Sequence, residues 1–77
     1  MSVELVEYLA QRLVDEPSAV RAEEVEREGD LVIELHVAPD DVGKVIGRQG
    51  RIARALRTIV RASAARREQR VMLEILE

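Results

Sequence analysis

Between residues 31 and 60 the hydrophobic period changes once, and that change constrains the fold more than any other feature. Leu31, Ile33, Leu35 and Val37 alternate along the chain as a strand requires, with Glu34 and His36 pointing the other way. Beyond Pro39 the spacing becomes helical and falls into two blocks. A short block carries Val42, Val45 and Ile46. A long one runs from about Gly50 to Glu68, with Ile52, Leu56, Ile59, Val60 and Ser63 on its inner face and Arg51, Arg54, Arg57 and Arg61 almost opposite. Val71 to Leu76 is apolar on both faces and reads as a covered or paired strand. A strand, two helices and a strand form a crossover, which favours parallel pairing of right-handed sense.

The preceding residues supply the rest. Leu5, Val6, Leu9, Leu13 and Val14 recur at helical spacing, and Pro17 stops that helix. Val20 to Glu28 is a weaker strand: Val20 and Ala22 share a face and Val25 falls on the other, which asks for a bulge or a shifted start. Gly29-Asp30 is a two-residue hairpin signal. Pro39-Asp40-Asp41 opens the short helix, where an aspartate can cap free N–H groups. The expectation is an α+β fold in the order α-β-β-α-α-β, a three-stranded mixed sheet with three helices packed on one face, in one domain over residues 1–77. The core has to be aliphatic, because Tyr8 is the only aromatic residue.

Composition narrows the function. The chain has no cysteine, which excludes a disulfide framework and cysteine-based zinc sites. No apolar run approaches the roughly 20 residues of a membrane span, and the acidic N-terminus lacks the order of a signal peptide. A cytoplasmic protein without a membrane role is expected. His36, the one histidine, has no nucleophile or carboxylate at useful spacing, and Asp40-Asp41 suits a cap better than a metal. Neither enzyme activity, nor a cofactor, nor a metal is expected. Net charge is −3, but residues 43–67 hold eight basic residues and no acid. The other four basic residues and all 15 acids lie outside, so a segment of +8 sits in a remainder of −11. That split suggests one electropositive face on a repulsive body.

The glycines open that basic segment. In Gly47-Arg48-Gln49-Gly50 two missing Cβ atoms let the backbone turn tightly and a phosphodiester approach. The helix that follows presents N–H groups and its positive dipole end. Lys44, Arg48 and Arg51 add charge, and Gln49 can donate or accept. Other phosphate loops fail on spacing: Gly43, Gly47 and Gly50 do not spell GxGxxG, and Gly43-Lys44 is followed by Val45, not Ser or Thr. Arg54 could track the same backbone. For Arg57 and Arg61 a solvated face and a longer track are both open. Arg66 and Arg67 suit the C-terminal end of the helix dipole.

A loop of this kind between two helices characterises KH domains, where it clamps about four backbone nucleotides. The segment VAPDDVGKVIGRQGRIARAL, from Val37 to Leu56, looks like the KH core. With the helix–strand–strand prefix and the final VMLEIL strand, the whole chain resembles the small bacterial single-domain KH proteins of the KhpA family, which have the type II arrangement. The resemblance implies binding of single-stranded RNA, with single-stranded DNA as a competitor, and action as an RNA chaperone or post-transcriptional regulator. It also implies a KH–KH partnership, as a homodimer or with a larger KhpB (Jag)-type protein. Carried over, Gly47, Arg48, Gln49 and Gly50 form the clamp. Val45, Ile46 and Ile52, with side chains from the Ile33–Val37 strand, line an aliphatic groove for the bases. Where many KH domains of the other topology place Ile three residues after the second glycine, this chain has Ala53, and Ile52 comes one earlier.

A different function class also fits: a dimerisation or adaptor module whose partner supplies most of the nucleic-acid affinity. Ala62, Ala64 and Ala65 with the last strand offer a flat patch for such a partner, or they pack under the first helix.

Overall fold

In a computed structural model the chain is described for residues 2–64 and 70–77, Ser2 by its backbone alone. The elements follow as α1 (Ser2–Leu13), β1 (Arg21–Arg27), β2 (Asp30–His36), α2 (Val42–Ile46), α3 (Arg51–Ser63) and β3 (Val71–Leu76). Single 3₁₀ turns precede β1, α2 and α3. The strands lie in the order β1-β2-β3, with β1 antiparallel to β2 and β2 parallel to β3. This is the expected α+β order, with the mixed sheet and crossover of a type II KH fold.

One aliphatic cluster draws on every element. Val6 and Ala10 of α1, Val45 of α2 and Leu56 and Val60 of α3 close over Ala22, Ile33, Leu35, Val71 and Leu73 of the sheet. Ile33, Leu35, Val6 and Val45 are fully buried. All three helices thus cover one face of the sheet. The stripe of α1 is rotated from the expected one: Val6 and Ala10 are its buried line, while Leu5 and Leu13 are each 39% exposed. Alanine at position 10 carries no strong hydropathy signal, yet it lets α1 approach the sheet closely.

β1 runs without a bulge, from the pair Arg21↔His36 to Arg27↔Asp30. Val25 therefore does face away from Ala22. It pairs with Val32, which is buried on the outer side of the sheet. On that side Arg27 bridges Glu34 and Glu74, whose strands would otherwise set like charges together. The hairpin turn is Glu28-Gly29, one residue earlier than expected, with φ of 52° and 86°. Two positive φ values are what a type I′ turn needs, and Asp30 is left to pair with Arg27.

The inner face of α3 is Ala53, Leu56 and Val60, with Ala64 just past its end, while Ser63 is exposed. The helix ends at Ser63, short of the expected Glu68, and Ala64 is its C-cap with φ −108°. Arg66, Arg67 and Ala65 lie outside the described residues. Among the described residues no helix is long and apolar enough to cross a membrane.

Candidate nucleic-acid interface

α2 has five residues, too few to stand alone, so its position is set by what it touches. Val45 is its buried anchor. The helix stops at Gly47, whose φ of 78° and ψ of 172° lie in a region open essentially to glycine. A Cβ there would sit 2.7 Å from Ile52 Cγ1 and 3.0 Å from Ile52 Cβ, so glycine also makes room for the stem of a helix side chain. Arg48–Gly50 forms a 3₁₀ turn in which Gln49 (φ 58°, ψ 24°) and Gly50 (φ 71°, ψ 17°) are left-handed. Nothing lies within 4 Å of a Cβ built on Gly50, so this second glycine is needed for its backbone angle and not for space.

The loop bonds to itself. The amide of Gly47 donates to the Gly43 carbonyl (2.9 Å), that of Gly50 to the Gly47 carbonyl (3.1 Å), and that of Arg51 to the Arg48 carbonyl. The amides of Arg48 and Gln49 have no backbone acceptor among the described residues. Arg48 and Gln49 are exposed at the tip. Arg51 donates through Nη2 to Gln49 Oε1 at 3.1 Å. A guanidinium only donates, so the Gln49 oxygen is turned toward it and the Gln49 NH₂ is left as a donor at the surface.

The expected site residues do not all meet solvent together. Arg48, Gln49, Arg51 and Arg54 are exposed, Gly47, Gly50 and Ile52 are half-buried, and Ile46 is 37% exposed. Val45 has no exposure, and Ile33 and Leu35 likewise turn into the core, so the strand and Val45 support the loop from beneath. Lys44 is exposed but engaged: its Nζ lies 3.3 Å from Asp15 Oδ2 and 3.7 Å from Asp41 Oδ1. The bond to Asp15, chiefly, raises its pKa above the ordinary lysine value of 10.5. That pairing contributes fully below pH 10.5 and is lost only as pH rises through the higher folded value.

Charge pairing separates the loop and α3 from most of the other described cations, Arg12 of α1 excepted. Arg21 pairs with Glu23 at 2.8 Å and Arg70 with Asp30 at 3.9 Å, and Arg27 and Lys44 each have two acids. Arg48, Arg51, Arg54, Arg57 and Arg61 have no carboxylate partner among the described residues. At 3.6 residues per turn Arg54, Arg57 and Arg61 share one stripe. That stripe borders the buried face on the β3 side, where sequence periodicity had set it almost opposite. A cleft of about 180 Å³ lies there, lined by Arg57, Arg61 and Val60 on one bank and Val71, Met72 and Leu73 on the other. Sequence reasoning missed this second bank. The signal was the i, i+3, i+7 spacing beside a last strand apolar on both faces.

On the other side of α3 lies a wider trough of about 330 Å³, with Leu9 and Leu13 of α1 facing Ile52, Ala55 and Ile59. Arg12 and Arg51 stand at its rim. Of the alanines read as either a partner patch or packing beneath the first helix, Ala64 is buried in the core and Ala62 is exposed, while this trough presents a separate apolar surface.

Residues 3–75 match the family model described as KhpA/KhpB, KH domain. The chain belongs to that family. It is 52% identical over 73 residues to a protein of Caldanaerobacter subterraneus named RNA-binding protein KhpA, covering 95% of this chain and 97% of the relative. A protein of the same name from Aquifex aeolicus is 55% identical over 74 residues, covering 96% of this chain and 94% of the relative. One from Clostridium perfringens is 51% identical over 73 residues, covering 95% and 97%.

Proposed function

We propose that this KH domain binds single-stranded RNA without catalysis, holding the sugar-phosphate backbone on the Gly47–Gly50 loop and leading the strand along the β3 side of α3. The observation that carries this reading is the run of unpaired arginines. Arg48, Arg51, Arg54, Arg57 and Arg61 lie on one loop and helix in a chain where acids outnumber bases and where, among the described residues, most other cations have a carboxylate partner. The two open amides at the loop tip and the donor end of Gln49 suit phosphate oxygens. From Arg51 to Arg61 the track covers about 15 Å of helix axis. Bases that reach the α3–β3 cleft meet the exposed apolar side chain of Met72, which offers aliphatic contact in place of ring stacking. The printed name shared by the relatives agrees with RNA as the ligand.

The test is the double variant Arg48→Asp, Gln49→Asp, which puts two carboxylates where the phosphate rests. Binding to a mixed single-stranded RNA pool should disappear while circular dichroism stays native. Undiminished binding by this variant would falsify the clamp. Single-stranded DNA in the same assay measures how far the loop discriminates between the two.

A KH partner, as a second copy or a KhpB-type protein, is supported by the trough between α1 and α3, an apolar surface at the edge of the basic track. In this reading the chain regulates or remodels RNA in the cytoplasm together with that partner. Leu13→Glu, at an exposed rim position, should reduce association in light scattering across a dilution series. Tight RNA binding by a strict monomer would set the adaptor reading aside.

A further inference from the structure

We infer that Asp41 is the positioning residue of the RNA clamp, tying α2 to the loop after α1 and holding the exposed Lys44 as its counter-ion instead of leaving it as a phosphate contact. This rests on the RNA-binding reading above for its consequence, but not for its geometry. Asp41 is the only buried charged side chain among the described residues, at 2% exposure. It stands just before α2, where an aspartate ordinarily caps its own helix, yet it makes no such bond. Its oxygens turn the other way: Oδ1 accepts the Asp15 amide at 3.2 Å and Oδ2 the Glu16 amide at 3.1 Å. Lys44, one turn later, closes the cluster by reaching both Asp41 and Asp15.

Burying a carboxylate is costly unless its lone pairs are met, and here two amides and an ammonium meet them. What the cluster joins explains why it is built. Its lower side is the segment between α1 and β1, and its upper side is the first turn of the helix that ends at Gly47. A five-residue helix held only by the apolar contacts of Val42 and Val45 could still rock on them. The Asp41 cluster adds a directional, hydrogen-bonded attachment of another kind, and together they fix where Gly47 points. The same geometry accounts for Lys44, the candidate cation on α2, whose charge is already matched by two carboxylates.

Two variants test this, with salt dependence as the readout that distinguishes a contact from a support. Each phosphate neutralised on a single strand adds about 0.7 to the slope of log affinity against log salt. Lys44→Gln should leave the slope at the wild-type value, whereas Arg48→Gln should lower it by about 0.7. A matching drop in Lys44→Gln would overturn the assignment of that residue. Asp41→Asn retains one acceptor oxygen and should weaken RNA binding about tenfold, the scale of a lost charge-assisted hydrogen bond. Its slope should not change, and its amide hydrogen exchange should rise at residues 15–16 and 42–50 while β2 stays protected. Wild-type affinity in Asp41→Asn, or exchange rising equally in β2, would sink the positioning role. If wild-type protein bound no RNA, the proposed function would fall. The attachment would then be judged by exchange alone, supported by a rise confined to those two segments and refuted otherwise.

Discussion

Gly47 and Gly50 look equivalent as text and are not equivalent as residues. Gly47→Ala meets two penalties, a backbone region nearly closed to alanine and a Cβ against the stem of Ile52. Gly50→Ala meets only the left-handed penalty of about 1–2 kcal/mol. Urea denaturation should therefore rank Gly47→Ala as the more destabilised, by more than 2 kcal/mol relative to wild type. Equal costs would mean that the Ile52 contact relaxes freely. The sequence made both glycines legible as a loop but could not separate them, because the clash depends on how α3 re-enters. Asp41 shows the same limit. Its position implied a cap, and only the path of the α1–β1 segment, 25 residues away in the chain, gave its oxygens other donors.

Among the elements, the long helix was the most readable and its orientation the least. A binary pattern places Leu56 and Val60 inside. It does not say that Ala53 and Ala64, small and nearly neutral in hydropathy, complete the buried line and bring Arg57 and Arg61 beside β3. The parallel pairing of β2 and β3 followed from the two-helix crossover. The hairpin slipped by one residue because a glutamate in left-handed backbone leaves no mark in composition. The arginine stripe makes a graded prediction. Arg57→Gln should lower the salt slope of RNA binding by about 0.7, like Arg48→Gln, while Thr58→Gln on the same turn should leave it unchanged. A flat response at Arg57 would confine the RNA to the loop. Arg66 and Arg67 fall outside the described residues and play no part in this contrast.

At the scale of the whole molecule, 77 residues without Phe or Trp leave little reserve. Ile33 lies at the centre of the cluster with no exposure, so Ile33→Ala should cost about 2–5 kcal/mol. That is a large part of the stability of a domain this small, and thermal unfolding monitored by circular dichroism should show it as a large drop in Tm. The charge split was visible from the start, but its meaning needed the coordinates: among the described residues the acids neutralise cations across the sheet and around Asp41, and leave the α3 arginines without carboxylate partners.

The proposed grip on RNA lies within the stretch of chain that tethers β2 to β3. Whatever closes on residues 47–50 also quiets the only path by which the third strand finds its neighbour. Occupied protein should thus melt later than empty protein, and slower exchange in the last strand as well as in the loop would show that the gain reaches across the crossover.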